Sequence, residues 1–357
     1  MSRPSRALID VHALRKNYRL ARQLHGGRAL AVLKANAYGH GAVACARALE
    51  ATSDGFAVAF LDEAIQLRHA GIGGPILVLE GCFTRAELIE AHAHKCWVAV
   101  HQEEQLRALE QAPSQVGGMH AWVKFDSGMR RAGFPLSQAK GLAQRLQGCD
   151  AVSRMTLMSH FARADEPESE ATAIQIAAFD TATAGISAER SLANSAGLLA
   201  WPAAKRDWSR PGIMLYGVDP LPGSPSALSP VMTLESEVFA MREIEPGDAL
   251  GYGAHYVAAA PRRVGIVAIG YADGYPRTVP QGTPVMVGAH RGQVIGRVSM
   301  DMLTIDLTDV PGEGVGSRVE LWGRNISVND VASAIGTIGY ELLCHVQRVP
   351  RIYEDAR

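Results

Sequence analysis

Six reactive side chains fall where apolar runs of the chain stop. Lys34 closes the run AVLK, and Arg131 follows HAWVKFD in VKFDSGMRRAGF. His160 ends RMTLMSH, Asn194 and Ser195 end ERSLANS, and Arg210 lies late in DWSRPGIM. A lysine on a short, desolvated stem suits a nucleophilic amine, because burial lowers its pKa and frees the lone pair. Arginine offers a fork for carboxylates, and histidine a proton exchanger near neutral pH. Ser195 supplies a hydroxyl, and the segment Pro211-Gly212-Ile213 supplies backbone amides where glycine permits close approach. Such a set, with a phosphate site opposite a lysine, fits two Schiff-base chemistries: a pyridoxal phosphate enzyme, or an aldolase acting on phosphorylated sugars.

The elements that must carry these residues alternate. Strands are expected at 29–34, 56–60, 75–79, 97–101, 120–126, 154–160, 189–195 and 207–214, each a short apolar run. Between them lie amphipathic stretches such as DEAIQLRHAG, TRAELIEAHAHK, QEEQLRALEQA and PLSQAKGLAQRLQG. Eight strand–helix alternations with tight connections point to an α/β fold closed as a (β/α)8 barrel, with a doubly wound open sheet as the competitor. Barrel enzymes build their sites at the carboxyl ends of strands, which is where the six residues fall.

At 221–230 the composition changes to LPGSPSALSP, a linker by its Pro, Ser and Gly content. Strands follow at 231–241, 264–269, 283–287, 293–300, 302–307 and 318–321, with one short helix at 328–335. The expected organisation is a barrel over 12–226 and a mainly β domain over 227–357, to which a family resemblance carried by motifs along the whole chain adds the N-terminal strand within 1–11.

Composition excludes several classes. A formal net charge of −1 over 357 residues gives no electrostatic case for nucleic acid or an anionic membrane. No apolar run approaches the roughly 18 residues of a spanning helix, and the start MSRPSRALIDVHALRKNY lacks the pattern of a signal peptide. Five cysteines, odd in number and never in a C-x-x-C pair, read as reduced thiols, with no disulfide frame and no metal site. A cytoplasmic location is the expectation.

AVLKANAYGHG resembles the cofactor-lysine segment of alanine racemases. The chain also carries VKFDSGMRRAGF, HFARAD, ANSAG, RPGIMLYG, LGYGAHY, GYADGYPR, GRVSMDM, YELLC and RVPRIY in that order, across nearly its whole length. The resemblance implies pyridoxal 5′-phosphate held by Lys34 as a Schiff base. It also implies a phosphate site of Tyr38, Ser195, Gly212, Ile213 and Tyr340, with His160 and Asn194 beside the cofactor and Arg210 facing the pyridine nitrogen. By the same resemblance Lys34 and Tyr252 are the two opposed bases of racemisation. Arg131 and the Met300 amide bind the substrate carboxylate, Lys124 is a candidate for carbamylation, and Tyr271 narrows the entrance. Positive charge from His160 linked to Arg210 is expected to make Tyr252 a usable base. The family pattern further implies a homodimer in which each β domain covers its partner's barrel, and a product, D-alanine, made for peptidoglycan or degraded in catabolism.

One departure concerns Arg130, where many relatives carry glycine. The carboxylate role is given to Arg131, which keeps the motif spacing, with Arg130 facing solvent. Three other readings compete: a broad-spectrum amino-acid racemase on the same fold, a decarboxylase of basic amino acids on the related barrel, and a barrel-only pyridoxal phosphate carrier. The absent signal peptide weighs against the first, the carboxyl-terminal pattern against the second, and the complete β domain with Tyr252 and Met300 against the third.

Overall fold

The computed structural model describes residues 3–221, 223 and 227–355. Of the linker at 221–230, Pro222 and residues 224–226 lie outside the described residues, as do Met1, Ser2 and residues 356–357.

The parallel strands form a ring, not an open sheet. In sequence order they are Arg28–Ala29 with Ala31–Val32, then Phe56–Val58, Ile76–Val78, Trp97–Val100, Met119–Asp126, Val152–Met158, Glu189–Ser191 and Trp208–Ser209. Closure is made by the first segment, whose amides alternate between two neighbours. Leu30 and Val32 donate to the carbonyls of Ser209 (2.9 Å) and Pro211 (3.0 Å), while Ala31 and Leu33 donate to Gly55 (2.9 Å) and Ala57 (2.7 Å). A sheet whose first and last strands pair has no edge to protect.

The four amphipathic stretches become helices Leu61–His69, Arg85–Ala93, Glu103–Glu110 and Ala139–Gln147. The N-terminal helix Val11–His25 starts where the Asp10 carboxylate accepts the Ala13 amide at 2.8 Å and ends at Gly26 in the left-handed region. At the end of the ring away from the reactive residues, Trp97, Trp122 and Trp208 pack within 6.1 Å of one another, with Arg28 over the Trp208 ring at 4.2 Å. That end is a plug of aromatic side chains.

The second unit is built on the long strand Met232–Ile244. With Arg262–Val267, Leu303–Asp306, His290–Val294, Pro284–Val287 and Arg318–Trp322 it closes a small antiparallel ring. The same long strand pairs outside that ring with Arg6–Asp10, which in turn pairs in parallel with the last strand, Arg351–Glu354. The chain's two ends are thus adjacent strands of one sheet.

Several expected strands are shorter than their apolar runs. The run at 189–195 is extended only over Glu189–Ser191, because the Asn194 side chain accepts the Gly197 amide and starts the helix Ser195–Ala200. The run at 207–214 is strand over Trp208–Ser209 and then turns into a 3-10 segment at Ile213–Tyr216. The run at 293–300 gives way to the strand His290–Val294. Gly339–His345, not anticipated, is a short helix.

Candidate active site

Lys34 does not end a strand; it begins a left-handed turn. Ala35, Asn36, Ala37 and Tyr38 have φ of 52°, 54°, 55° and 50°. For L-residues this hand costs roughly 1–2 kcal/mol each, so other parts of the molecule must hold it. Five groups do. Glu63 accepts the Ala35 amide at 2.7 Å, and the Asn36 side chain accepts the Ala42 amide at 2.8 Å. His40 Nδ1 lies 3.0 Å from the Ala37 carbonyl and 2.9 Å from that of Tyr38. From the last strand, Arg351 Nε donates to the Gly39 carbonyl at 2.5 Å and the Tyr353 hydroxyl to the His40 carbonyl at 3.1 Å. Burial pushes the His40 imidazole down to about 4, so it stays neutral and keeps its Nδ1 proton for those carbonyls.

The turn delivers the Tyr38 phenol to Gly212. A Cβ at Gly212 would lie 2.5 Å from the Tyr38 oxygen, so only a hydrogen fits between them. Ser195 Oγ accepts the amides of Gly212 (2.9 Å) and Met214 (3.3 Å), and the Tyr340 ring centre stands 6.1 Å from that of Tyr38. Burial raises the pKa of Tyr38 and of Tyr340, so both phenols remain donors. The Tyr38 and Ser195 hydroxyls and backbone amides converge beside Gly212, with the Tyr340 ring next to Tyr38, a set suited to a phosphate dianion. Asn194 is near this cluster but spends its side-chain oxygen on the Gly197 amide.

Arg210 is buried across the mouth. Its guanidinium donates to Ser191 Oγ and to the carbonyls of Ser159 (2.6 Å) and Leu192 (3.4 Å). No carboxylate pairs with it among the described residues. Desolvation lowers its pKa to about 10, which leaves it charged at neutral pH. The expected hydrogen-bonded link between His160 and Arg210 is not present among the described residues, because Arg210 is occupied by these oxygens. The two interact through charge alone: burial, then the field of Arg210, Arg131, Lys124 and Lys34, holds His160 well below its usual pKa. His160 is therefore neutral.

Lys124 sits inside the barrel on Met119–Asp126. Desolvation lowers its pKa; Arg131, Arg210 and Lys34 push the same way, with Glu80 opposing. Arg131 thus faces the mouth closely enough to act on both Lys124 and His160. Arg130 and Arg131 are both exposed, and Arg130 has φ 59°, the backbone region where glycine is at ease.

Tyr252 and Met300 lie on the β domain and are 67% and 53% exposed. Among the described residues, no hydrogen bond ties the Tyr252 side chain to the barrel of its own chain. Tyr271 is fixed beside Met300: its amide donates to Ser299, and that of Ala272 to the Met300 carbonyl, both at 3.0 Å. The buried Asp273 carboxylate closes this turn on the Gly270 amide (3.0 Å) and is paired with Arg3. Tyr252, Tyr271, Met300 and Met302 are each exposed.

Residues 9–220 match the family described as alanine racemase, N-terminal domain, and residues 231–353 match alanine racemase, C-terminal domain. The chain belongs to the alanine racemase family. It is 61% identical over 348 residues to the alanine racemase of Azoarcus sp. (strain BH72), covering 97% of this chain and 98% of that one. Its fold superposes on the crystal structure of biosynthetic alanine racemase from Pseudomonas aeruginosa with a TM-score of 0.95, at 46% identity and 99% coverage of both chains. For alanine racemase from Bartonella henselae with covalently bound pyridoxal phosphate the TM-score is 0.90, at 30% identity, covering 98% of this chain and 99% of that one. Alanine racemases are isomerases, and the barrel followed by an antiparallel β domain is their fold.

Sequence reasoning assigned no role to any of the five residues that hold this turn. Asn36 and His40 lie within it, whereas Glu63 comes from the start of Leu61–His69, and Arg351 and Tyr353 from the unanticipated strand Arg351–Glu354. No local pattern reveals that they meet the Lys34 turn. RVPRIY entered the resemblance only as a motif.

Proposed function

We propose that this chain interconverts L- and D-alanine with pyridoxal 5′-phosphate, at a site completed by the β domain of a second copy. The observation that carries the reading is the donor cradle of Tyr38, Ser195 and Gly212 on the same turn-and-mouth geometry as Lys34. Members of the family depend on this cofactor, and the Bartonella henselae relative holds it covalently. The residues fit the group. Tyr38, Ser195, Gly212, Ile213 and Tyr340 would hold the phosphate, Lys34 Nζ the aldehyde carbon, and Arg210 the pyridine nitrogen.

When bound, the cofactor supplies an electron-withdrawing ring that acidifies the substrate Cα–H. Everything else falls to the chain. Racemisation requires a proton to leave one face of Cα and another to arrive on the opposite face, so two opposed groups serve better than one. Lys34 Nζ covers one face and Tyr252 Oη the other. Arg210 supplies fixed positive charge at the mouth, and His160, held neutral by burial, does not. Arg131 and the Met300 amide hold the substrate carboxylate, and Tyr271 beside Met300 limits side-chain size.

Four cations, Lys34, Lys124, Arg131 and Arg210, act on one another here against Glu80. A carbamate on Lys124, or a bound anion such as chloride, would balance them and orient Arg131. The lowered Lys124 pKa supports carbamylation, because the neutral amine is the form that adds carbon dioxide. The exposed Tyr252 and Met300 support a shared, homodimeric site. The match to alanine racemases weighs against a broad-spectrum enzyme. The same site serves both directions, so the D-alanine it handles can be made for the cell wall or taken into catabolism. Five free thiols support a reducing, cytoplasmic compartment.

Borohydride reduction of the holoenzyme should trap the cofactor on Lys34, and L-alanine should racemise faster than larger amino acids. Peptide mapping that puts the label on Lys124 or Lys95 overturns the central assignment.

A further inference from the structure

The direction of the Lys34 side chain is set by the two peptide planes that flank its α-carbon. The plane before it is held by the backbone: the Leu33 carbonyl accepts the Ala37 amide at 2.7 Å. The plane after it is held by a side chain, since the Ala35 amide donates to Glu63 Oε1 at 2.7 Å. The other oxygen, Oε2, accepts the amides of Ala59 (2.7 Å) and Phe60 (3.2 Å) at the start of Leu61–His69. That second contact is an ordinary helix-start arrangement, in which an acid three residues in reaches back to the N-cap. The first is not. One carboxylate therefore joins the end of the second barrel strand to the residue beside Lys34.

From this geometry we propose that Glu63 is a positioning residue for Lys34, locking the Lys34–Ala35 peptide in the orientation from which the left-handed turn begins. The proposal rests on Lys34 being the cofactor lysine. Ala35 to Tyr38 are L-residues held at positive φ, and all have a right-handed alternative open to them once that peptide can rotate. A rotated plane would swing Nζ away from the mouth and carry the Tyr38 phenol off Gly212, so both ends of the cofactor site would suffer together. A carboxylate is the residue type the place demands. It presents two acceptor oxygens to three N–H groups, whereas glutamine has one acceptor and turns its NH2 toward a donor.

Two variants separate positioning from simple support of the helix. Glu63→Gln can keep either the helix-start contacts or the Ala35 contact, not both. Leu67→Ala removes a buried side chain of the same helix and touches neither. Each apo-protein is mixed with pyridoxal 5′-phosphate at 25 °C, and formation of the borohydride-reducible bond to Lys34 is followed with time. Glu63→Gln should slow this bond formation at least tenfold and speed cofactor loss on dialysis, with little change in Tm. Leu67→Ala should lower Tm and leave the rate within twofold of the parent. A Glu63→Gln rate equal to the parent's, or an equal slowing in Leu67→Ala, overturns the proposal.

A measurement on the parent chain needs no variant to fold. Exchange of the Ala35 amide in the apo-protein should be at least 100-fold slower than for an unbonded amide, and free exchange there overturns the clamp. Mapping the label in the parent chain tests the cofactor-lysine reading separately. A label on another lysine sinks that reading whatever the Glu63 variant does.

Discussion

The Tyr38 oxygen and the α-carbon of Gly212 are so close that a Cβ built on the glycine would stand 2.5 Å from that oxygen. The pair joins the turn after the first barrel strand to the loop after the last, across the seam where the ring closes. Space makes the glycine obligatory, and its backbone at φ −117° and ψ −93° also lies outside the regions that L-residues favour.

Gly212→Ala should therefore push the phenol out of the phosphate cradle. Overpacking of this kind costs about 1–3 kcal/mol, or roughly 5- to 150-fold in cofactor affinity. Equilibrium dialysis measures it. Because Tyr38→Phe removes the atom that the new methyl meets, the double variant should bind better than the sum of the two losses. Additive losses would separate the two residues and break up the proposed cradle.

Tyr252→Phe should act by face. With the phenolic base gone, Lys34 can still exchange the α-proton of one enantiomer, the D form by family resemblance. Deuterium wash-in from D-alanine should survive better than from L-alanine. Equal losses would leave the tyrosine a purely structural part.

Mixing two inactive chains tests the shared site. Lys34→Ala and Tyr252→Phe chains are unfolded together and refolded, and half of the dimers formed at random are mixed. In each mixed dimer one site collects both defects and the other none, so roughly a quarter of all sites should regain full activity. Verified mixed dimers without any gain over the parents would show that both residues serve their own chain.

Acid should loosen the barrel through its buried imidazoles. His40 and His120 are both held down to about 4 by burial, against an ordinary value near 6.5. Between these values the unfolded chain binds protons that the native one refuses, so stability is full above about 6.5 and falls as pH drops toward 4. Each group contributes a slope of at most about 1.4 kcal/mol per pH unit. His120→Gln, whose amide can still reach Thr156 where the imidazole now lies 2.8 Å from Oγ1, should flatten the fall measured by Tm. An unchanged slope would mean that His120 takes no part.

The barrel was legible in the sequence because each strand is a short apolar run, and runs survive errors at their ends. The ends themselves were not. Asn194 stops a strand early by capping a helix, a side-chain choice that no apolar pattern records. Lys34 was expected on a strand, yet the residues that bend its turn the other way come from Leu61–His69 and from the final strand. Local propensity speaks against four L-residues at positive φ, and tertiary hydrogen bonds overrule it. The reactive types at strand ends could be read directly; Tyr38, Tyr252, Met300 and Tyr340 could be reached only through resemblance. The exposed face of the β domain follows from the same limit, since one chain's pattern says nothing of a second chain.

The clamp from the last strand has a consequence in time. Arg351 and Tyr353 hold the carbonyls of Gly39 and His40 from 312 and 313 residues away, so their strand is synthesised long after the turn it holds. A nascent barrel can bury its aromatic plug and wind its helices while the ribosome is still at work. The turn beside Lys34 must wait for that far strand before it gains those two partners. Its left-handed shape is thereby tied to chain made more than three hundred residues later, and a chain truncated before Arg351 lacks the two hydrogen bonds.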